Sequence, residues 1–336
     1  MKKAAFLIIT IMVLSLSLAL AIDKEQVDTW TALVSEKDLQ VKMQKLEAYY
    51  DKYGAKEDRY SMYMYVYLAQ TSYLLQKYEK TIQFGEKALV YKEIDASNKL
   101  PLYLYLANAY NLTKQDLDKA YGYAEQIVTL ASSLRSANAG NSAMDINYTA
   151  PALRIQAQLL AAKGQEEPQK VVNALDKAIE AFKLDKSDKS ANFVIHLSDH
   201  LSKNERIADA IRGLEAMIEV KANADYSKLL GVWYARLKDN PKAIENFKVS
   251  YAQKKNAQVA YNLGILLNQN QELDAAIEYL AEAHLLNDEK YSPEALKLLD
   301  HLVFFEKAKG QPQAEQETLY NEILAAARAR LETPQT

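Results

Sequence analysis

Tyr261-Asn262-Leu263-Gly264 is followed, after a polar turn at Asn268-Gln269-Asn270-Gln271, by Ala276-Ile277-Glu278-Tyr279-Leu280 and then Ala283. Leu263 stands 13 residues before Ala276. An apolar pattern of helical period lies on each side of the turn, so the segment reads as two amphipathic helices joined in a hairpin. The same columns recur upstream. Leu197, Leu230 and Leu263 are 33 residues apart, and so are Ala210, Ala243 and Ala276. Ile211, Ile244 and Ile277 keep that step, as do Leu214, Phe247 and Leu280, and Leu201, Tyr234 and Leu267. Columns in phase over successive units define an internal repeat. The upstream turns read Lys203-Asn204-Glu205 and Lys238-Asp239-Asn240-Pro241.

The Ala and Gly columns have a mechanical reason: two helices approach to about 8–10 Å only where the contact residues are small. Together the columns resemble the tetratricopeptide repeat (TPR), a helix-turn-helix of about 34 residues. After the 261–283 match, Leu230-Gly231, Tyr234, Ala243 and Phe247 form the next best copy. The resemblance implies an all-α fold, a right-handed solenoid of about seven to eight TPR-like helix hairpins. It departs from the family at Asp288, where the family often has Pro.

Looser copies fill the N-terminal half. Leu68-Ala69 precede Thr81-Ile82, with Ala88 closing the unit. Leu106-Ala107-Asn108-Ala109-Tyr110 precede Ala120 by 14 residues, one too many, which predicts a longer turn. Helix pairs are also expected over 24–54, over 152–184 around Gly164, and over 293–331 around Lys309-Gly310-Gln311-Pro312. Ser132 to Thr149, with Asn138 and Gly140, is the one long irregular stretch, either a loop or an extended helix. The expected organisation is a signal peptide at 1–21, degenerate Tyr-rich repeats at 22–190, well-matched repeats at 191–290 and a capping helix pair at 291–336.

The signal peptide is read from Lys2 and Lys3, an apolar run from Ala4 to Ala21, and the small-x-small site Ala19-Leu20-Ala21. An uncleaved anchor helix is the alternative reading. Cleavage predicts an exported protein, periplasmic in a Gram-negative bacterium, with no membrane span left. The 41 Lys+Arg against 44 Asp+Glu give a net charge of −3, and removing Lys2 and Lys3 leaves 39 against 44, or −5. Mild acidity without a basic cluster speaks against nucleic-acid binding. The absence of Cys removes disulfides, thiolate metal sites, thiol nucleophiles and a lipoprotein anchor. Gly is 9 and Pro is 7 of 336, well under the averages of ~7% and ~5%, which leaves little room for a many-turned β fold.

No reactive constellation stands out. His196 and His200 share a helix face with Asp199 near them, yet Leu197, a repeat core position, stands where the zincin motif wants Glu. Glu166-Glu167 and Glu315/Glu317 fall in turns or at helix starts, where carboxylates suit solvent and the helix dipole. No Gly-rich phosphate loop or G-x-S-x-G elbow occurs. The expectation is therefore no enzyme, no cofactor and no metal.

Tyrosine is the anomaly: there are 23, and 16 lie between Tyr49 and Tyr148. With Leu68 and Leu106 in the core column, Tyr63, Tyr67, Gln70 and Tyr73 project from the inner face of one first helix. Tyr105, Asn108 and Asn111 project from the next. Tyr gives large contact area at low entropy cost, which suits peptide recognition; packing of wet helix seams is the competing use. In the well-matched repeats the same face presents His196 and Asp199, then Lys228, then Tyr261 and Asn262. Lys228 and Asn262 resemble part of the carboxylate clamp of some TPR proteins, but Val232 occupies the place of its second Asn. The resemblance implies a non-catalytic scaffold that binds a protein or peptide in its groove, in an envelope assembly or transport complex. Glycan or small-ligand binding by the Tyr-rich groove is the alternative.

Overall fold

A computed structural model describes residues 24–55, 60–137, 141–164 and 167–333. The expected signal segment, Asn138, Gly140 and Glu166 lie outside the described residues. Among the described residues all regular structure is helical. The helices are α1 (Lys24–Val34), α2 (Leu39–Tyr53), α3 (Ser61–Leu74), α4 (Tyr78–Ala88), α5 (Ala96–Thr113), α6 (Leu117–Ser136), α7 (Ala150–Lys163) and α8 (Pro168–Asp185). They continue with α9 (Asp188–Lys203), α10 (Ile207–Val220), α11 (Ala224–Arg236), α12 (Asn240–Gln253), α13 (Ala257–Gln269), α14 (Leu273–Leu285), α15 (Tyr291–Asp300) and α16 (Gln313–Glu332). The chain divides into two compact units, 1–156 and 157–336.

In the first unit α3 pairs with α4 and α5 with α6, and α3 also lies against α5. Leu68, Ala69, Leu106 and Ala107 are fully buried along these seams. In the second unit α9–α10, α11–α12 and α13–α14 are hairpins. Their buried side chains belong to one continuous cluster that runs from Ala157 to Ala327. Phe182 and Phe247 are its largest fully buried members.

The small residues sit where the repeat columns require them. A methyl group at Gly231 would lie 2.6 Å from the Phe247 ring, and one at Gly264 would lie 2.5 Å from Leu280 Cγ. In the α9–α10 hairpin the same first-helix position holds Ser198, and glycine moves to the facing helix: a methyl on Gly213 would meet Ser198 Oγ at 2.3 Å.

The hairpin turns repeat in backbone as well as in sequence. Each first helix ends in a three-residue link, 75–77, 204–206, 237–239 and 270–272. The middle residue is left-handed, with φ of 58° at Gln76, 63° at Glu205, 61° at Lys238 and 65° at Gln271. The next amide donates back across the helix end: Lys77 N to Ser72 O, Arg206 N to Leu201 O, Asp239 N to Tyr234 O and Glu272 N to Leu267 O. This is the Schellman closure, normally built on glycine. A non-glycine residue there carries a strain of roughly 1–2 kcal/mol. Lys238→Gly should therefore raise stability by ~0.5–1 kcal/mol, the relief less the extra freedom of an unfolded glycine. Chemical denaturation measures it, and a loss of stability would refute this account of the turn.

One expectation needs correction, one alternative is decided, and one departure from the family pattern has a structural role. The link after α5 is not longer: it is again three residues, 114–116, and the extra residue lies inside α5, which runs seven residues past Leu106 where α13 runs six past Leu263. Lys114 (φ 58°) then ends the helix one position earlier in the link. The stretch from Ser132 to Thr149 is mostly helical where it is described. α6 extends to Ser136, and a turn at Ser142–Met144 passes through a π-helical segment, Asp145–Thr149, straight into α7. Asn141 caps that turn by accepting from Met144 N at 2.9 Å. Asp288, in place of the family's Pro, serves as a cap, accepting from Lys290 N at 3.0 Å and Tyr291 N at 2.9 Å.

Candidate functional site: the first-helix faces

The predicted face of the first unit starts on α3, where Tyr63, Tyr67, Gln70 and Tyr73 follow helical spacing. Tyr63 is exposed at 36%, and Tyr67, Gln70 and Tyr73 are half-buried. Tyr105 on α5 stacks on Tyr73 at 4.7 Å between ring centroids. Gln70 hydrogen-bonds the Tyr105 hydroxyl, and the Tyr148 ring lies nearby. Burial pushes the Tyr105 and Tyr73 hydroxyls above the usual tyrosine range. The fold thus brings Gln70, Tyr73 and Tyr105 into one patch, with Tyr63 and Tyr67 further along the same helix face. Asn108, one turn beyond Tyr105, donates through Nδ2 to Leu104 O at 2.9 Å. Asn111 accepts from Lys114 Nζ at 3.0 Å, at the helix end.

Tyr67 has neighbours that the repeat columns did not reveal. Its ring meets Trp30 edge-on at 5.8 Å, and Lys42 Nζ lies 5.1 Å from its centroid. Trp30 also touches Tyr49 and Tyr60. A separate group gathers Tyr50, Tyr65, Phe84 and Tyr91, with Lys87 over two of the rings. Many tyrosines therefore bury their ring bodies in seams between helices.

Other tyrosines bridge helices through carboxylates. Tyr110 donates to Glu86 at 2.6 Å, and Lys119 joins the same carboxylate at 2.9 Å. Burial would raise the Glu86 carboxyl, but these hydrogen bonds outweigh it and hold the group below its ordinary value. Tyr234 pairs with Glu215, Tyr251 donates to buried Glu282 at 2.6 Å, and Tyr320 to Asp300 at 2.7 Å. Burial first, and the neighbouring carboxylate second, push Tyr234, Tyr251 and Tyr320 far above the usual phenol range. A raised folded pKa gives stability that is complete below the unfolded value near ~10 and is lost as pH rises above it. Tyr234 and Tyr251, both buried and each bonded to a carboxylate, are the groups whose ionisation costs the fold most. The melting temperature should fall steeply above pH ~10, with tyrosinate absorbance appearing together with loss of helix. Full tyrosine ionisation with the helix intact would contradict these assignments.

In the second unit the predicted positions fall on three first helices. His196 on α9 is exposed, and Asp199 pairs with Lys203 at 2.6 Å. Lys228 on α11 pairs with Asp225 at 3.2 Å. Tyr261 on α13 touches the Tyr291 ring at 5.9 Å, and Asn262 is half-buried beside it. Among the described residues no three potential metal-ligating side chains come together. Among them no helix is long and apolar enough to cross a membrane.

No family model matches the chain, and no curated protein does. Solved structures do. A tetratricopeptide repeat protein from Parabacteroides merdae is 14% identical over 84% of this chain and 98% of its own, with a TM-score of 0.35. The TPR2AB domain of yeast Sti1, solved in complex with pHSP90, is 14% identical over 93% and 99%, with a TM-score of 0.33. The apo form of RapI is 12% identical over 92% and 98%, with a TM-score of 0.36. This chain is built of TPR-like helix hairpins. The 33-residue columns, the small residues at the crossings and the repeated left-handed turn are the marks of that architecture.

Proposed function

We propose that this protein is an exported, non-catalytic scaffold that holds a protein or peptide segment on its first-helix face, within an envelope assembly or transport complex. The observation that carries the reading is the face of α3 and α5. Half-exposed aromatic rings and amide side chains stand there on neighbouring rigid helices. Tyr63, Tyr67, Gln70, Tyr73, Tyr105 and Asn108 are its contact groups. Such rings give affinity to extended chains without loop ordering. The polar positions of the second unit, His196, Asp199, Lys228, Tyr261 and Asn262, are the competing location for the partner. Glycan binding is the rival use of the tyrosines. Tyr73 and Tyr105 turn one ring face each toward the other, which leaves less flat aromatic surface for a sugar.

Tyr63 is a cleaner probe than Tyr67, whose ring packs on Trp30. Truncated interface aromatics commonly remove ~2 kcal/mol or more each. Tyr63→Ala with Tyr105→Ala should weaken partner capture from envelope extract about a thousandfold if their effects add. A folded double variant that captures everything the wild type does would refute the assignment. For export, the mature protein should begin at Ile22, and an exported protein that still begins at Met1 would favour an anchor.

A further inference from the structure

The α15–α16 hairpin departs from the others at its turn. α15 runs on through the π-helical segment His301–Lys307, and the link to α16 is five residues, 308–312, instead of three. The Ala308 amide donates to Val303 O at 2.8 Å, five residues back, which is the π-helical bond. The two phenylalanines of this segment point different ways. Phe304 turns into the hairpin and stacks on Tyr320 of α16, with ring centroids 5.2 Å apart. Phe305 turns outward, stacks on exposed His301 at 5.6 Å and is itself 67% exposed. Beside it, between the π segment and the start of α16, lies an open cavity of about 550 Å³. Phe304 and Phe305 wall it, and Lys309, Gln313 and Glu317 stand at its rim. At Gly310 (φ 83°) an added side-chain carbon would meet nothing within 4 Å, so the link leaves the cavity uncovered.

A single exposed apolar side chain needs no partner. Phe305 is not single: it projects next to an aromatic recess many times the ~30 Å³ that one water molecule occupies. The rim carries one charge of each sign. Lys309 has no carboxylate partner among the described residues, and Glu317 has no cation there. Glu317 Oε1 accepts instead from Gln313 Nε2 at 2.8 Å. The two charges line one cavity without pairing with each other. A surface that holds a projection beside a recess, and a positive group beside a negative one, is its own complement under a two-fold rotation. Turned to face itself, it sets each Phe305 in the other copy's recess and each Lys309 against the other copy's Glu317. A site for a foreign partner has no need of such self-matching.

We propose that this protein forms a two-fold dimer through the turn of the α15–α16 hairpin, with Phe305 of each copy seated beside Phe304 of the other. This contact lies in the second unit and stands or falls independently of the α3–α5 face.

The test is sedimentation equilibrium of the mature protein from roughly 1 to 500 μM. A contact this small gives weak, reversible association, so half-dimerisation should fall on the order of 10–100 μM. The mass should rise from one chain to two and no further. Phe305→Ser should stay monomeric throughout with an unchanged melting temperature, because its ring is not part of the core. Lys309→Glu should weaken the dimer about tenfold, since it sets like charges against each other at both symmetry-related contacts. Glu317→Lys should do the same. The two exchanges in one chain should return the affinity to within about threefold of the wild type, because opposite charges meet again. A wild type that stays monomeric at 500 μM would overturn the proposal, and if capture from envelope extract then depends on Phe305, the turn serves a foreign protein. A mass that keeps growing past two chains would overturn it in favour of a head-to-tail contact. A dimer indifferent to Phe305→Ser, or a double exchange no tighter than the single ones, would place the interface elsewhere.

Discussion

Gly264→Leu should lower the unfolding free energy by several kcal/mol, whereas Lys254→Leu, eleven positions after Ala243, should change it by less than about 0.5 kcal/mol. The first carbon added at Gly264 would lie 2.5 Å from Leu280 Cγ, 2.7 Å from Leu280 Cδ2 and 3.3 Å from the Ala276 carbonyl oxygen. Leu280 and Ala276 are fully buried, so neither has open space to retreat into. Overpacking typically costs ~1–3 kcal/mol and occasionally more. Here three further carbons follow the first into a crossing already too close for one, which puts the change at the upper end. Lys254 is exposed, just past the end of α12. Urea denaturation of the two variants decides the matter. Equal midpoints would mean that the hairpin register is wrong.

Arg330→Ala should destabilise the second unit by about 3 kcal/mol, the low end of the ~3–5 kcal/mol expected when a buried ion pair loses one partner. Glu282 has a side chain only 6% exposed, and Arg330 Nε donates to its Oε1 at 2.6 Å. Tyr251 donates to the other oxygen, and Lys255 bonds the Arg330 carbonyl. These contacts fasten the end of α16 across α14 and the start of the link after α12. The Arg330 side chain as a whole is 37% exposed, so water screens part of the attraction, and the lower figure is the right one. Removing Arg330 leaves a carboxylate buried with one hydroxyl for company. Glu282→Gln in the Arg330→Ala background should restore part of the loss, because the amide oxygen still accepts from Tyr251 and no charge remains buried. Thermal unfolding of the four proteins of this cycle gives the coupling, and strict additivity would show that the two groups do not interact.

The hairpins of the second unit were legible in the sequence because steric need wrote them there. Gly231 faces Phe247 and Gly264 faces Leu280, and only small residues fit such crossings. The apolar columns followed from the same packing. The turns were legible in position but not in conformation. Their left-handed residues are Gln76, Glu205, Lys238 and Gln271, and none carries the glycine that would mark it. The π-helical segments Asp145–Thr149 and His301–Lys307 had no signal, since one extra residue in a helical turn changes no composition.

The tyrosines divide the same way. Ring spacing placed Tyr63, Tyr67, Gln70 and Tyr73 on one face of α3. It could not say that Tyr67 leans on Trp30, or that Tyr234 reaches Glu215. A tyrosine buries its ring and shows its hydroxyl both in a seam and in a groove, so residue type alone does not separate the two. Carboxylate partners 19 to 31 positions away, as for Tyr234 and Tyr251, follow no local period.

Hydrogen–deuterium exchange of the mature protein, free and with its captured partner, tests the central claim most directly. The account predicts slowed exchange concentrated on the first unit, in α3 and α5 around Gln70, Tyr73 and Tyr105, with α9, α11 and α13 little changed. Protection centred on α11 and α13 around Lys228 and Asn262, with α3 and α5 exchanging as in the free protein, would contradict it.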